Sequence, residues 1–429
     1  MISRSELNAL TATQQREMLA KLLRAKVAGT QRFPMSIGQQ GLWHAFRRDP
    51  QSTSFNVFLP TRLRAPLDTG ALRRAIECVA ARNVCLHSVF SDSDGELMQE
   101  TQPDLRPAFE VIDLLGASDQ QAQAAVAAAT TVPFDLQHGP VFRMQVYRLA
   151  EDDWIVLAMT HHIVVDFWSL IIIVDELREA YPSYAQQRAP HLPPPENNFA
   201  QFVRDQQTLL TSPRGEELRD YWQKIVAQSA NVLDLPTDRL RPSGFENAAR
   251  NAPLEFPAAT VSNIAKLAAR TKATPFAVVH SALQVFLSRM SGQTNFLIGS
   301  PFSGRSKGEY ERTVGFFINM LPLPADLEGD PSFAQLIART SENLLDALEH
   351  EAYPIAQITH DARLPRDPSR SPLFQVSCTF EKSQLKSEIG RASFLFPGQQ
   401  QVWDFGGLPQ EGFYVPHPTC HYDLEFIFE

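Results

Sequence analysis

Thr160-His161-His162-Ile163-Val164-Val165-Asp166-Phe167-Trp168-Ser169 is the stretch that decides how the rest of this chain is read. Upstream of it, Trp154 to Thr160 is an apolar, strand-like run. Downstream, Leu170, Ile173, Val174, Leu177 and Tyr181 recur at helical spacing from Phe167 onward. The pattern predicts strand, turn and helix, a mount whose rigid flanks suit reactive side chains. Imidazole titrates near neutral pH, so a histidine at a strand end is a candidate for proton handling. Asp166, four residues after His162, is suited to accepting hydrogen bonds or pairing with a cation. Two histidines and a carboxylate this close also suit a metal ion or an ordinary core.

Working outward, Val141 to Leu149 reads as a second strand, forming a hairpin that delivers His161 and His162 to the end of a sheet. Ser36 and Gln39 have the spacing of a capping box, so a helix starts there. Helices are also predicted from Thr69 to Asn83 and from Gln120 to Ala129. Leu86 to Phe90 alternates like a strand, Ser91 to Gly95 is a turn, and another strand begins at Glu96. Residues 5 to 28 carry helix formers with few breakers, as either a linker or docking segment or a packed terminal helix.

Arg188 to Asn198 contains three consecutive prolines and marks the clearest boundary. Beyond it, helices are expected from Phe199 to Leu210 and from Glu216 to Ser229. Thr274 and Pro275 open another, closed by Gly292. Its expected buried stripe is Phe276, Val279, Leu283, Phe286, Leu287 and Met290, with His280 a packed neighbour. A strand from Asn295 to Pro301 then presents Arg305 on a tight turn. Arg305 stands out because a buried Asp166 needs a cation. The expected organisation is α/β (α+β) in two similar lobes: 1–33 as linker or docking helix, 34–187 as first lobe, 188–198 as linker and 199–429 as second lobe.

A chain of 429 residues exceeds one typical core, which agrees with two lobes. The longest apolar runs are too short to span a bilayer, and no secretory signal is visible. A net charge of −9 argues against nucleic acid as the main ligand. Cys78, Cys85, Cys378 and Cys420 lack CxxC spacing, which points to a reducing, cytoplasmic setting without structural zinc.

His161 to Asp166 matches the HHxxxDG motif of the chloramphenicol acetyltransferase-like superfamily. More closely, the chain from Pro34 to its C-terminus resembles the condensation domain of a nonribosomal peptide synthetase. Ser36 to Trp43 resembles the family's first motif, S-x-A-Q-x-R-L-W, with Gly38 and Gly41 where the pattern has Ala and Arg. Arg82 to Phe90 is a worn second motif. Tyr221-Trp222, Leu235 to Arg239 and Thr274 to Arg305 follow in the family's order. Val314 to Asn319 matches the fifth motif, His350 to Ile355 part of the sixth, and Arg366 to Val376 nearly all of the seventh.

The resemblance implies two chloramphenicol acetyltransferase-like lobes in a V-shaped pseudo-dimer, with the histidine turn midway along a tunnel. It implies no intrinsically bound cofactor. Upstream donor and downstream acceptor carrier proteins, from neighbouring synthetase modules, would insert phosphopantetheine arms. One arm brings an acyl or peptidyl thioester and the other an aminoacyl amine, and an amide forms between them. His162 takes the catalytic role, as base or as orienting partner of the amine. His161, Asp166 and Arg305 shape the site, Asp166 pairing with Arg305. Ser169 and the His162 imidazolium are candidate oxyanion donors, and Phe167, Trp168 and Asn319 candidate substrate contacts. Phe167 replaces the motif's Gly, which bears on the acceptor side. The alternatives are an ester-forming relative or a free acyltransferase that uses a hydroxyl acceptor or a coenzyme A thioester, and a non-catalytic recruitment domain. The latter relatives tend to lose the histidines that this chain keeps.

Overall fold

The computed structural model of the protein describes residues 30–93, 95–193, 198–230, 232–305, 308–365, 367–380 and 402–428. The helix expected over 5 to 28 lies outside them, as do part of the proline linker and Arg366 of the seventh motif. The first half runs β1 (Arg32–Pro34), α1 (Ile37–Arg48), β2 (Asn56–Leu63), α2 (Thr69–Arg82), β3 (Ser88–Ser93), β4 (Glu96–Thr101), β5 (Ala108–Asp113), α3 (Asp119–Thr130), β6 (Phe142–Arg148), β7 (Trp154–His161) and α4 (Phe167–Ala185). Ser36 caps α1 and forms the reciprocal capping box with Gln39 that its spacing predicts. The second motif folds as a 3-10 turn at Val84–His87 before β3 begins, so its strand starts later than its alternation suggests.

The second half runs α5 (Phe199–Leu210), α6 (Pro213–Gln228), α7 (Ala258–Thr271), α8 (Pro275–Ser291), β8 (Asn295–Phe302), β9 (Asn319–Asp326), α9 (Phe333–Glu349), α10 (Ile355–Ala362), β10 (Val376–Phe380), β11 (Val402–Phe405), β12 (Leu408–Gly412) and β13 (Leu424–Phe428). Helix α6 starts three residues before the expected Glu216, because Ser212 caps it and Pro213 fits its first turn, where no backbone N–H is needed. In α8 the buried stripe is rotated from the apolar one. Phe286 and Met290 are each 49% exposed, whereas Ser281 and Gln284 are buried. Thr340 of α9 accounts for this, since its hydroxyl accepts from Ser281 Oγ at 2.9 Å and Gln284 Nε2 at 3.1 Å. Paired polar groups can be buried at little cost. His280 is packed in the same layer, as its position suggests.

The helices and strands form a mixed α/β fold around two larger sheets. One has the strand order β11-β12-β2-β7-β6-β5 and the other β13-β10-β8-β9, while β1-β4-β3 form a smaller sheet. Strand β7 lies between β2 and β6, antiparallel to both, and is buried along nearly its whole length. That explains its unbroken apolar sequence. Helix α2 packs beside α4, with Arg82 Nε 3.0 Å from Glu176 Oε1 and Asn83 Nδ2 donating to Glu176 Oε2 at 2.8 Å.

The first core draws residues from beyond the linker. Phe199, Ala200 and Val203 of α5, then Tyr310, Val314 and Phe317, join its apolar cluster. Strand β12 pairs with β2, placing Gln410 opposite Leu63 and Gly412 opposite Thr61. Chain from the far side of the linker thus completes the sheet that carries the histidine turn. Among the described residues no helix is long and apolar enough to cross a membrane.

Candidate active site

Beyond β7 the chain makes a 3-10 turn at His162–Val164 and enters α4. His161 is 5% exposed and faces inward, its Nδ1 accepting from the Ile163 backbone N–H at 3.1 Å. Burial, with His162 beside it, brings its pKa down to about 3, so it stays neutral at working pH. His162 is partly exposed and lines a cavity of about 680 Å³. Its Nδ1 lies 2.7 Å from the Val165 carbonyl oxygen. A carbonyl only accepts, so Nδ1 carries the proton and Nε2 keeps its lone pair. Burial lowers the His162 pKa, opposed by that carbonyl and by Asp166. The result is a neutral imidazole, fixed in one tautomer, with its basic nitrogen available to the cavity.

The turn is held from three directions. Its backbone N–H at His162 donates to the Phe55 carbonyl at 2.8 Å. Gln39, fully buried in α1, donates from Nε2 to the Ile163 carbonyl at 2.8 Å. Phe316 stands edge-on to the His162 ring at 5.2 Å. Gln39 and Phe55 hold the turn through contacts that their own positions in the sequence do not announce. Gln39 showed there only as a capping residue, and its second bond lies 124 positions away.

Asp166 caps α4, accepting from the Ser169 backbone N–H at 2.7 Å. Arg305 Nη2 lies 3.0 and 3.1 Å from its two oxygens, and the Phe317 N–H donates to it at 3.2 Å. Arg305 Nη1 donates to the carbonyls of Tyr310 and Thr313, each at 2.7 Å, and the guanidinium stacks on Phe317 at 3.9 Å. A buried charge pair of this kind needs such additional bonds to offset desolvation.

Ser169 has a different place from the oxyanion role considered for it. It is fully buried; its hydroxyl donates to the Gly315 carbonyl at 2.8 Å and accepts from Gly315 N at 3.0 Å and Arg305 Nη2 at 2.9 Å. One donor and two lone pairs are then all engaged, so no hydrogen remains for a substrate oxygen. Trp168 Nε1 donates to the Glu311 carbonyl at 2.8 Å, and neither Trp168 nor Phe167 lines the cavity. Asn319 does line it, but its Nδ2 donates to the Glu351 and Tyr353 carbonyls, each at 2.8 Å, and its Oδ1 accepts from Ile355 N at 2.9 Å. It clamps the segment that leads into α10. Of the sequence candidates, His162 alone lines the cavity without having its side chain wholly engaged. Among the described residues no group of three or more His, Cys, Asp or Glu side chains is placed to hold a metal ion.

The chain belongs to the condensation domain family, whose model matches residues 30–408. It is 32% identical over 397 residues to one of the linear gramicidin synthase polypeptides of Brevibacillus parabrevis, covering 91% of this chain and 8% of that one. It is 33% identical over 364 residues to malpibaldin synthetase of Mortierella alpina, covering 84% and 7%. The chain thus spans less than a tenth of either relative. Among solved structures, the X-domain from teicoplanin biosynthesis matches with a TM-score of 0.81 at 23% identity, covering 92% of this chain and 85% of that one. A complex of that X-domain with OxyB also matches, at a TM-score of 0.78 and 24% identity over 92% and 83% of the two chains. The first condensation domain of the calcium-dependent antibiotic synthetase matches with a TM-score of 0.72 at 21% identity over 92% and 87%. The fold is therefore the chloramphenicol acetyltransferase-like fold of condensation domains.

Proposed function

We propose that this domain joins an acyl or peptidyl thioester, carried by an upstream carrier protein, to the amine of an aminoacyl thioester on a downstream carrier protein. The observation that carries this reading is the neutral His162 imidazole, locked with Nε2 unprotonated in the wall of the cavity. A thioester is already activated, and holding two reactants in line supplies effective molarities on the order of 10⁵ M or more. What remains is to take a proton from the attacking amine, a step worth about 10² to 10⁴-fold when one base is well placed. The amine nitrogen bonds to the carbonyl carbon, its proton passes through His162 Nε2, and the thiolate leaves to become a thiol.

The second reading is a docking platform for another protein, favoured by the X-domain structure solved together with OxyB. An ester-forming variant differs only in its acceptor. To decide, acyl-loaded donor and aminoacyl-loaded acceptor carrier proteins are incubated with the domain, and the acceptor mass is followed. Condensed product that disappears with His162→Ala supports amide formation. Turnover equal to wild type in that variant removes His162 from the role, and a hydroxyacyl acceptor in the same assay separates ester from amide.

A further inference from the structure

A tetrahedral intermediate places negative charge on the former carbonyl oxygen, and a donor is needed there. The resting histidine turn has no donor free for it, because Ser169 has no hydrogen to spare, the His162 Nδ1 proton goes to Val165, and Nε2 gains a hydrogen only by taking the amine proton that it must then deliver to the thiolate. The cavity has a second imidazole. His421 lines it together with His162, and its ring stacks on Phe55 at 4.6 Å with the planes 15° apart. Phe55 is also the residue whose carbonyl holds the His162 backbone. Among the described residues no group bonds to the His421 ring nitrogens, whereas its backbone N–H donates to Glu425 Oε1 at 2.5 Å. The backbone is therefore anchored, one ring face is fixed, and the ring nitrogens are left for a ligand.

We propose that His421 donates the hydrogen bond that holds the developing oxyanion of the thioester, with His162 handling the amine proton. The proposal rests on the acyl-transfer reading above. As the amine nitrogen bonds to the carbonyl carbon, the C=O electron pair moves onto oxygen, where the His421 N–H meets it. Collapse restores the carbonyl and expels the thiolate, which takes the proton held by His162. His421 gains and loses no proton. The ionisable groups around it are His162, His417 and Glu425. Burial and the two histidines bring its pKa to about 4, so a neutral N–H donor is present at any physiological pH. A neutral imidazole can serve as an electrophile in this way.

The test uses the whole domain with an acyl-loaded donor carrier and an aminoacyl-loaded acceptor carrier, comparing wild type, H421A, H421Q and H162A. Losing one oxyanion donor lowers kcat by about 10² to 10³-fold. H421A should show that loss with KM for both carriers little changed. H421Q, whose amide retains an N–H, should recover much of it, and the wild-type to H421A ratio should stay level from mildly acidic to mildly alkaline pH. A kcat for H421A equal to wild type overturns the proposal, as do equal losses in H421A and H421Q that track a lower melting temperature. If wild type condenses and H162A does not while H421A is unimpaired, this role alone fails. A wild-type domain that forms no condensed product with amine or hydroxyl acceptors removes this role together with the acyl-transfer reading.

Discussion

Asp166 and Arg305 meet in a buried ion pair, with Arg305 Nη2 3.0 Å from Asp166 Oδ1, although 139 positions separate them in the chain. The pair ties the histidine turn to the segment that follows β8. Breaking a buried pair by removing one partner costs about 3 to 5 kcal/mol, because the other charge is left uncompensated. Arg305→Ala and Asp166→Ala should each lose that much stability in urea unfolding. The double variant should lose less than the sum of the two. Strict additivity would mean that the pair contributes no coupling.

Ser169→Ala separates structure from catalysis. Removing its hydroxyl leaves Gly315 N and one Arg305 bond without a partner, at a cost of about 1 to 3 kcal/mol per buried group. The melting temperature should fall while kcat, measured well below it, changes little. A loss of kcat by about 10²-fold or more in a stably folded variant would return Ser169 to the oxyanion.

Gly38 lies under Phe316, the ring that stands edge-on to His162. A Cβ there would meet Phe316 Cε1 at 2.7 Å, inside any real contact distance. Alanine is favoured over glycine by about 1 kcal/mol in a helix interior and by less in the first turn, where Gly38 lies, so Gly38→Ala has only a small intrinsic gain to set against this clash. The expected outcome is a displaced Phe316 and lower kcat, even if the melting temperature is unchanged. Wild-type kcat in Gly38→Ala would show that Phe316 does not set the orientation of His162.

Buried neutral histidines make the fold sensitive to acid. His161 and His280 have pKa values lowered by burial to about 3 and about 4, below the unfolded value. Between those limits the unfolded chain binds more protons, so stability rises with pH there. Their contribution is fully present above about pH 6.5 and is lost as pH falls toward 4, by up to about 1.4 kcal/mol per pH unit for each histidine. Urea midpoints measured from pH 7 to pH 4.5 should fall accordingly, with a shallower slope in His280→Gln. Equal slopes for the two proteins would exclude His280 from the effect.

Local features of the fold were legible in the sequence, since caps and apolar periodicity act within one or two turns. Ser36 with Gln39, Thr274 with Pro275, and the strand-to-helix passage from Trp154 to Tyr181 all come from neighbours in the chain. Arg305 was legible as a cation in search of a buried acid, and the family motifs placed it opposite Asp166. What could not be read depends on register between distant segments. Nothing near Ser169 indicates that its hydroxyl is occupied by Gly315, nor does anything near Ser281 and Gln284 reveal Thr340. His421 belongs to none of the motifs, and nothing in its own neighbourhood marks it, because its place on the same cavity as His162 arises from the path of the folded chain.

The pairing of β12 with β2 affects any attempt to exchange halves of this domain at its proline-rich boundary. A recombinant front half would carry β2 with its outer hydrogen-bonding row bare, and an open strand edge of that kind invites pairing with other chains. A foreign back half would have to supply a strand of matching register as well as a compatible wall for the cavity beside His162. Chimeras that retain residues 402–415 with the front half should stay monodisperse where simple cut-and-join versions aggregate.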